Sequence, residues 1–144
     1  MKKTKPVPTT TETENDLCIL TGEAEKINPH STGLLHWEMT ENLDGERGLR
    51  ITANDSGGLF SREWVALSAI SAVLKTHAAG DFTSTVLRPL FTSASRNNAG
   101  FLAAILRCAD ICLTEEGSAG AFSHRCYPDW EKRLEKLLTI PPSS

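Results

Sequence analysis

Leu35, Trp37 and Met39 alternate with His36, Glu38 and Thr40, and further on Leu49 and Ile51 alternate with Arg50 and Thr52. A period of two marks strands that bury one face. Between the runs lies Asn42-Leu43-Asp44-Gly45, whose Asp-Gly pair suits a tight turn because glycine accepts a positive φ without steric cost. These residues predict an antiparallel hairpin. Upstream, Leu17-Cys18-Ile19-Leu20 is a short apolar patch suited to a small strand or an anchor on the domain. Residues 21–33, ending in Asn28-Pro29-His30-Ser31-Thr32-Gly33, carry the chemistry of a turn or loop.

The period changes after the loop Asn54-Asp55-Ser56-Gly57-Gly58, which lacks the Lys and Ser/Thr of a phosphate-binding P-loop. Phe60, Trp64, Leu67, Ile70, Val73 and Leu74 recur at steps of three and four, predicting an amphipathic helix that ends near His77 and is closed by Gly80. Ser61 or Ser68 suits its cap. With Ser68 as the cap, the stretch from Phe60 to Leu67 is instead a third strand of the hairpin sheet, and the pattern leaves both open. Trp64 is placed in the core either way. Asp81 suits the cap of a second helix that buries Phe82, Val86, Leu87 and Leu90. Pro89 requires this helix to be short, kinked or finished near Arg88, since an interior proline removes a hydrogen bond and clashes with the preceding turn.

A longer helix is expected over residues 96–112, capped by Ser95, with adjoining stripes Phe101, Ile105, Cys108, Cys112 and Leu102, Leu106, Ala109, Leu113. Its opposite side carries Arg96, Gly100, Ala103 and Arg107, a small-residue face with an arginine at each end. Residues 115–120 read as a loop and 121–127 as a returning strand. Pro128 suits the first turn of a last helix docked through Trp130, Leu134, Leu137 and Leu138.

These elements make an α+β chain: an N-terminal hairpin or small sheet, a helical core resembling a helix-turn-helix, a second, wing-like hairpin and a C-terminal helix. Of the 144 residues, 1–16 read as a disordered tail containing Lys2, Lys3 and Lys5, and 140–144 as a frayed end. A single domain is expected over 17–139, winged-helix-like in 60–139. Without an apolar run of membrane-spanning length or a signal-type apolar segment, the chain is expected in the cytoplasm, off the membrane, with its four cysteines as free thiols.

In a winged helix-turn-helix the N-terminal part of the second helix enters the major groove. That assignment makes Arg96, Asn97 and Asn98 readers of base edges, where Arg pairs with guanine and Asn with adenine. Thr83, Thr85, Arg88 and Arg125 become phosphate contacts. The expected function is a non-enzymatic DNA-binding transcriptional regulator, with double-stranded DNA as partner and a homodimer as its form. The charge balance weakens this reading, because the net charge is −3 and the wing tip holds Glu115 and Glu116. The alternative is a protein-interaction module that meets a partner through Arg96, Gly100, Ala103 and Arg107. No catalytic motif is present and no cofactor is expected. Cys108, Cys112, His124 and Cys126 have donor types suited to zinc, but the two helical cysteines fall on the apolar face, where cysteine packs as a small hydrophobe, so no metal is assigned.

Overall fold

The structure, a computed structural model, describes residues 16–28, 30–57, 59–92 and 97–142; Arg96 and the expected cap Ser95 lie outside them. The chain is mixed α and β. Its four-stranded antiparallel sheet runs in the order β1 (Leu17–Glu25), β2 (Leu34–Glu41), β3 (Arg47–Asn54) and β4 (Val65–Ala66). α1 (Leu67–His77), a 3-10 helix (Ser84–Leu90) and α2 (Asn97–Arg107) follow, then the hairpin of β5 (Thr114–Gly117) and β6 (Gly120–Cys126), and α3 (Trp130–Thr139). No helix among the described residues is long and apolar enough to cross a membrane.

The alternating runs form the expected hairpin, with Trp37 opposite Ile51 and Met39 opposite Leu49. Their inward side chains join Leu35, Ile70, Leu87, Ile105 and Leu106 in one buried core. The apolar patch at Leu17 is the start of a nine-residue strand, which continues to Glu25 through residues expected to be loop. The reason lies in the pairing: Gly22, opposite Trp37, and Ala24, opposite Leu35, continue the buried face with small side chains that hydropathy underweights.

The second boundary also moves. β4 pairs Val65 with Leu49, and α1 begins only at Leu67, so of the two readings of this stretch the one with a third hairpin strand is nearer. Neither serine caps the helix. Ala66 is the N-cap, and the Ser68 hydroxyl donates to Glu46 from the first turn. Trp64 is not core but lies, half-buried, on the other face of the sheet, where its ring packs directly over Gly48 and its indole N–H donates to the Thr40 hydroxyl at 2.9 Å. Asp81 does not cap the next helix: it accepts from the Ser118 amide at 2.8 Å and from the Ser118 hydroxyl, tying the tip of the β5–β6 hairpin.

Pro89 is accommodated because the segment around it is a seven-residue 3-10 helix. α2 stops at Arg107, five residues before its expected end, and the chain turns through Cys112 at a left-handed φ of 53°. The expected loop at 115–120 is mostly strand, with β5 reaching Gly117. Within this α+β order α2 packs against β1, β2 and the 3-10 helix, with seven of its eleven residues buried.

Gly48 tests this packing. A methyl group there would lie 2.7 Å from the Val65 carbonyl oxygen and against the Trp64 ring, so Gly48→Ala is expected to cost about 1–3 kcal/mol in urea unfolding through overpacking.

Candidate interaction groove

α2 lies beside β1, and three neighbouring hollows border the stretch from Thr21 to Ile27. The first, about 230 Å³, has Asn97, Gly100 and Phe101 on one side, Lys26 and Ile27 on another, and Phe122 and His124 of β6 on a third. It adjoins a hollow of about 550 Å³ between Glu23–Ile27, the C-terminal half of α2 (Ala104, Arg107, Cys108) and Glu116 and Ala121 of the hairpin. A third, about 790 Å³, continues round the same edge from Thr21 to Glu23, with Asp110 on one side and His36, Glu38 and Arg62 on the other. One edge of the sheet thus borders a groove floored by a helix and walled by a hairpin.

β1 is the terminal strand of the sheet, with a strand neighbour on one side only among the described residues. A bulge between Cys18 and Leu20 interrupts its ladder near the start, leaving Leu20–Glu25 as the regular stretch. On this stretch Gly22 and Ala24 face the core, whereas Thr21, Glu23 and Glu25 lie exposed on the other face.

The cations near the groove already have partners. Lys26 Nζ donates to the Thr32 carbonyl at 2.8 Å and to the Ser56 hydroxyl, and lies 5.8 Å from the centre of the Phe101 ring. Arg107 Nη1 donates to the Ala121 carbonyl at 2.9 Å and to His124 Nδ1 at 3.2 Å. Arginine can only donate, so Nδ1 accepts and the neutral His124 ring carries its proton on Nε2. Burial, reinforced by the Arg107 charge, pushes the His124 pKa down to about 4. A backbone bridge between Phe82 and His124 fixes the ring's place at the groove wall.

The described residues read as contacts to a duplex differ in exposure and partners. Asn97 is exposed and donates to the Leu59 carbonyl at 2.8 Å. Asn98 is 1% exposed, and its side-chain oxygen accepts the Ser61 amide at 2.8 Å. Thr83 and Thr85 are exposed with their hydroxyls 2.7 Å apart, Arg88 is exposed, and Arg125 pairs with Glu115 at 3.1 Å. Of the expected interaction face, Gly100 and Arg107 do line the groove, but Ala103 is 2% exposed and faces inward. Phe101 and Cys108, read as core stripe, do pack against the core and also line the groove, as does the buried Ala104. Lys26, Ala121 and Phe122 complete it and were missed; of these, only the exposed aromatic Phe122 on a short strand carried a signal.

The four zinc-type side chains do not assemble. Cys126 is buried, which raises its thiol pKa to about 11, and burial also raises that of Cys108. Cys112 Sγ lies 3.1 Å from Arg133 Nη1, whose guanidinium stacks 4.0 Å over the Tyr127 ring. Among the described residues no group of three or more His, Cys, Asp or Glu side chains could hold a metal ion.

No family model matches the chain, and neither the curated proteins nor the solved structures contain a significant match. The groove's chemistry therefore has to be read from its own residues.

Two predictions follow from buried polar groups at and beneath this site. Since the fold keeps His124 neutral down to about pH 4 while an unfolded histidine protonates near pH 6.5, the unfolded chain binds more protons between those values. Stability should fall as pH drops through this window, and urea midpoints of His124→Gln should fall less over the same range. Asn98→Ala, which removes the acceptor of the part-buried Ser61 amide, is expected to cost about 1–3 kcal/mol by the same measurement.

Proposed function

We propose that this chain is a non-enzymatic protein-interaction module whose partner docks in the groove between the β1 edge and α2. One observation carries the reading: an open strand edge runs beside hollows of about 550 and 230 Å³ floored by Gly100, Phe101 and Ala104. Concave sites with apolar walls and a few convergent polar groups are where proteins seat ligands, and a strand edge adds backbone donors and acceptors to such a wall.

The alternative, a transcriptional regulator that reads DNA through α2, has less behind it. A reading helix needs its N-terminal side chains free to reach base edges, and Asn98 is committed to the Ser61 backbone within the core. Arg125 is paired to an acidic neighbour, and the net charge of −3 supplies little phosphate affinity.

Peptide display on the immobilised full chain tests the proposal. Gly100→Leu and Ala121→Trp would fill the two hollows; at Gly100 no atom lies within 4 Å of an added Cβ, so the leucine can enter without a clash at its base. Enriched peptides should lose at least about tenfold in affinity for these variants and bind Glu135→Lys, on exposed α3, unchanged. Peptides that ignore the blocked groove, or duplex retention that falls steeply with salt and is lost in Arg88→Glu/Arg125→Glu, would overturn it.

A further inference from the structure

We infer, resting on that reading, that the groove's occupant is an extended segment of a partner protein with basic and apolar residues in alternation, added to β1 as a fifth strand. The regular part of β1, from Leu20 to Glu25, sets the register. A strand laid antiparallel or parallel along it has side chains that alternate between faces, as every strand does. On one face they come beside Ala24 and enter the hollow over Ala104 and Cys108, where Ala24, Ala104, Ala109 and Ala121 leave room for aliphatic groups.

On the other face the incoming side chains come beside Glu23 and Glu25. The Glu23 side chain is 58% exposed, and His36 Nδ1 lies 3.7 Å from its carboxylate. Glu25 is exposed, and Glu116 across the hollow is 57% exposed and only loosely paired with Arg107 at 3.6 Å. The local cations are differently placed. Lys26 spends donors on Thr32 and Ser56, and Arg107 spends its own on Ala121 and His124. Three carboxylates, Glu23, Glu25 and Glu116, against the two cations Lys26 and Arg107 around the hollow select a positively charged strand, because opposite charges in cross-strand positions stabilise pairing and like charges oppose it. The alternation required is thus basic towards Glu23 and Glu25, apolar towards α2.

Acetylated seven-residue peptides test this with the full chain in about 150 mM salt, read by fluorescence anisotropy. A peptide alternating Lys and Val is expected to bind, one alternating Glu and Val to bind at least about tenfold more weakly. Methylating alternate backbone nitrogens of the Lys-Val peptide, which removes edge hydrogen bonds without touching the protein, should weaken it at least about fivefold, as should Glu23→Lys/Glu25→Lys. Equal binding of the two charge patterns, or indifference to backbone methylation, overturns the inference. A concentration-dependent dimer that the Lys-Val peptide does not disperse assigns the edge to a second copy of the chain and overturns it likewise. If display instead yields helical or acidic peptides that still depend on Gly100 and Ala121, this inference fails while the interaction module stands. Loss of all groove dependence removes both.

Discussion

The burial of α2 against the sheet and the 3-10 helix is the constraint on which the other parts rest. Leu102, Ile105 and Leu106 share a core with Trp37, Met39 and Leu49, so the helix cannot shift without opening the sheet's inner face. The segment before β4 is tied to it through Asn98, and the connection after it through the Leu113 amide, which donates to the Leu106 carbonyl. Arg107 carries the connection onward to the β5–β6 hairpin. A helix so heavily enclosed keeps only a narrow strip of surface. That strip is the groove floor, which is why the site's shape follows from core packing instead of from any dedicated loop.

Polar groups complete what apolar packing begins. Hydrogen bonds from Ser118 lower the Asp81 pKa below its ordinary value, favouring the carboxylate that anchors the hairpin tip. Glu63 accepts the Thr92 amide at 2.7 Å and the Ser61 hydroxyl at 2.9 Å, joining two segments with no regular ladder between them. Arg47 is almost fully buried, paired with Glu41 at 2.9 Å and donating to the Leu137 carbonyl at 2.8 Å. This last bond secures the end of α3 to the sheet, and it satisfies a carbonyl near a helix C-terminus.

The sequence was legible where one physical signal dominated. Period-two alternation from Leu35 to Met39 and from Leu49 to Ile51 places the central hairpin, and Trp130, Leu134 and Leu137 place α3. It was illegible where the deciding partner was distant. Gly22 belongs to a strand because the Trp37 ring needs the space: a Cβ at Gly22 would lie 2.8 Å from Trp37 Cε2. Trp64 left the core because an outward-facing glycine and the Thr40 hydroxyl received it. Ala103 and Ala104 are both buried, and helical periodicity cannot say which of two adjoining stripes meets the sheet. Lys26 and Ala121 lie on other elements and had no local mark.

The two edges of the main sheet are unequal, and the inequality bears on how copies of this chain could associate. One edge is a nine-residue strand; the other is β4, two residues long and running straight into a helix. A sheet with two long free edges can polymerise head to tail, since each added molecule presents a fresh edge. Here the short edge is too small a template to receive the long one. Among the described strands of this sheet only β1 is long enough to template another copy, and a two-fold β1–β1 contact closes on itself instead of presenting a fresh edge.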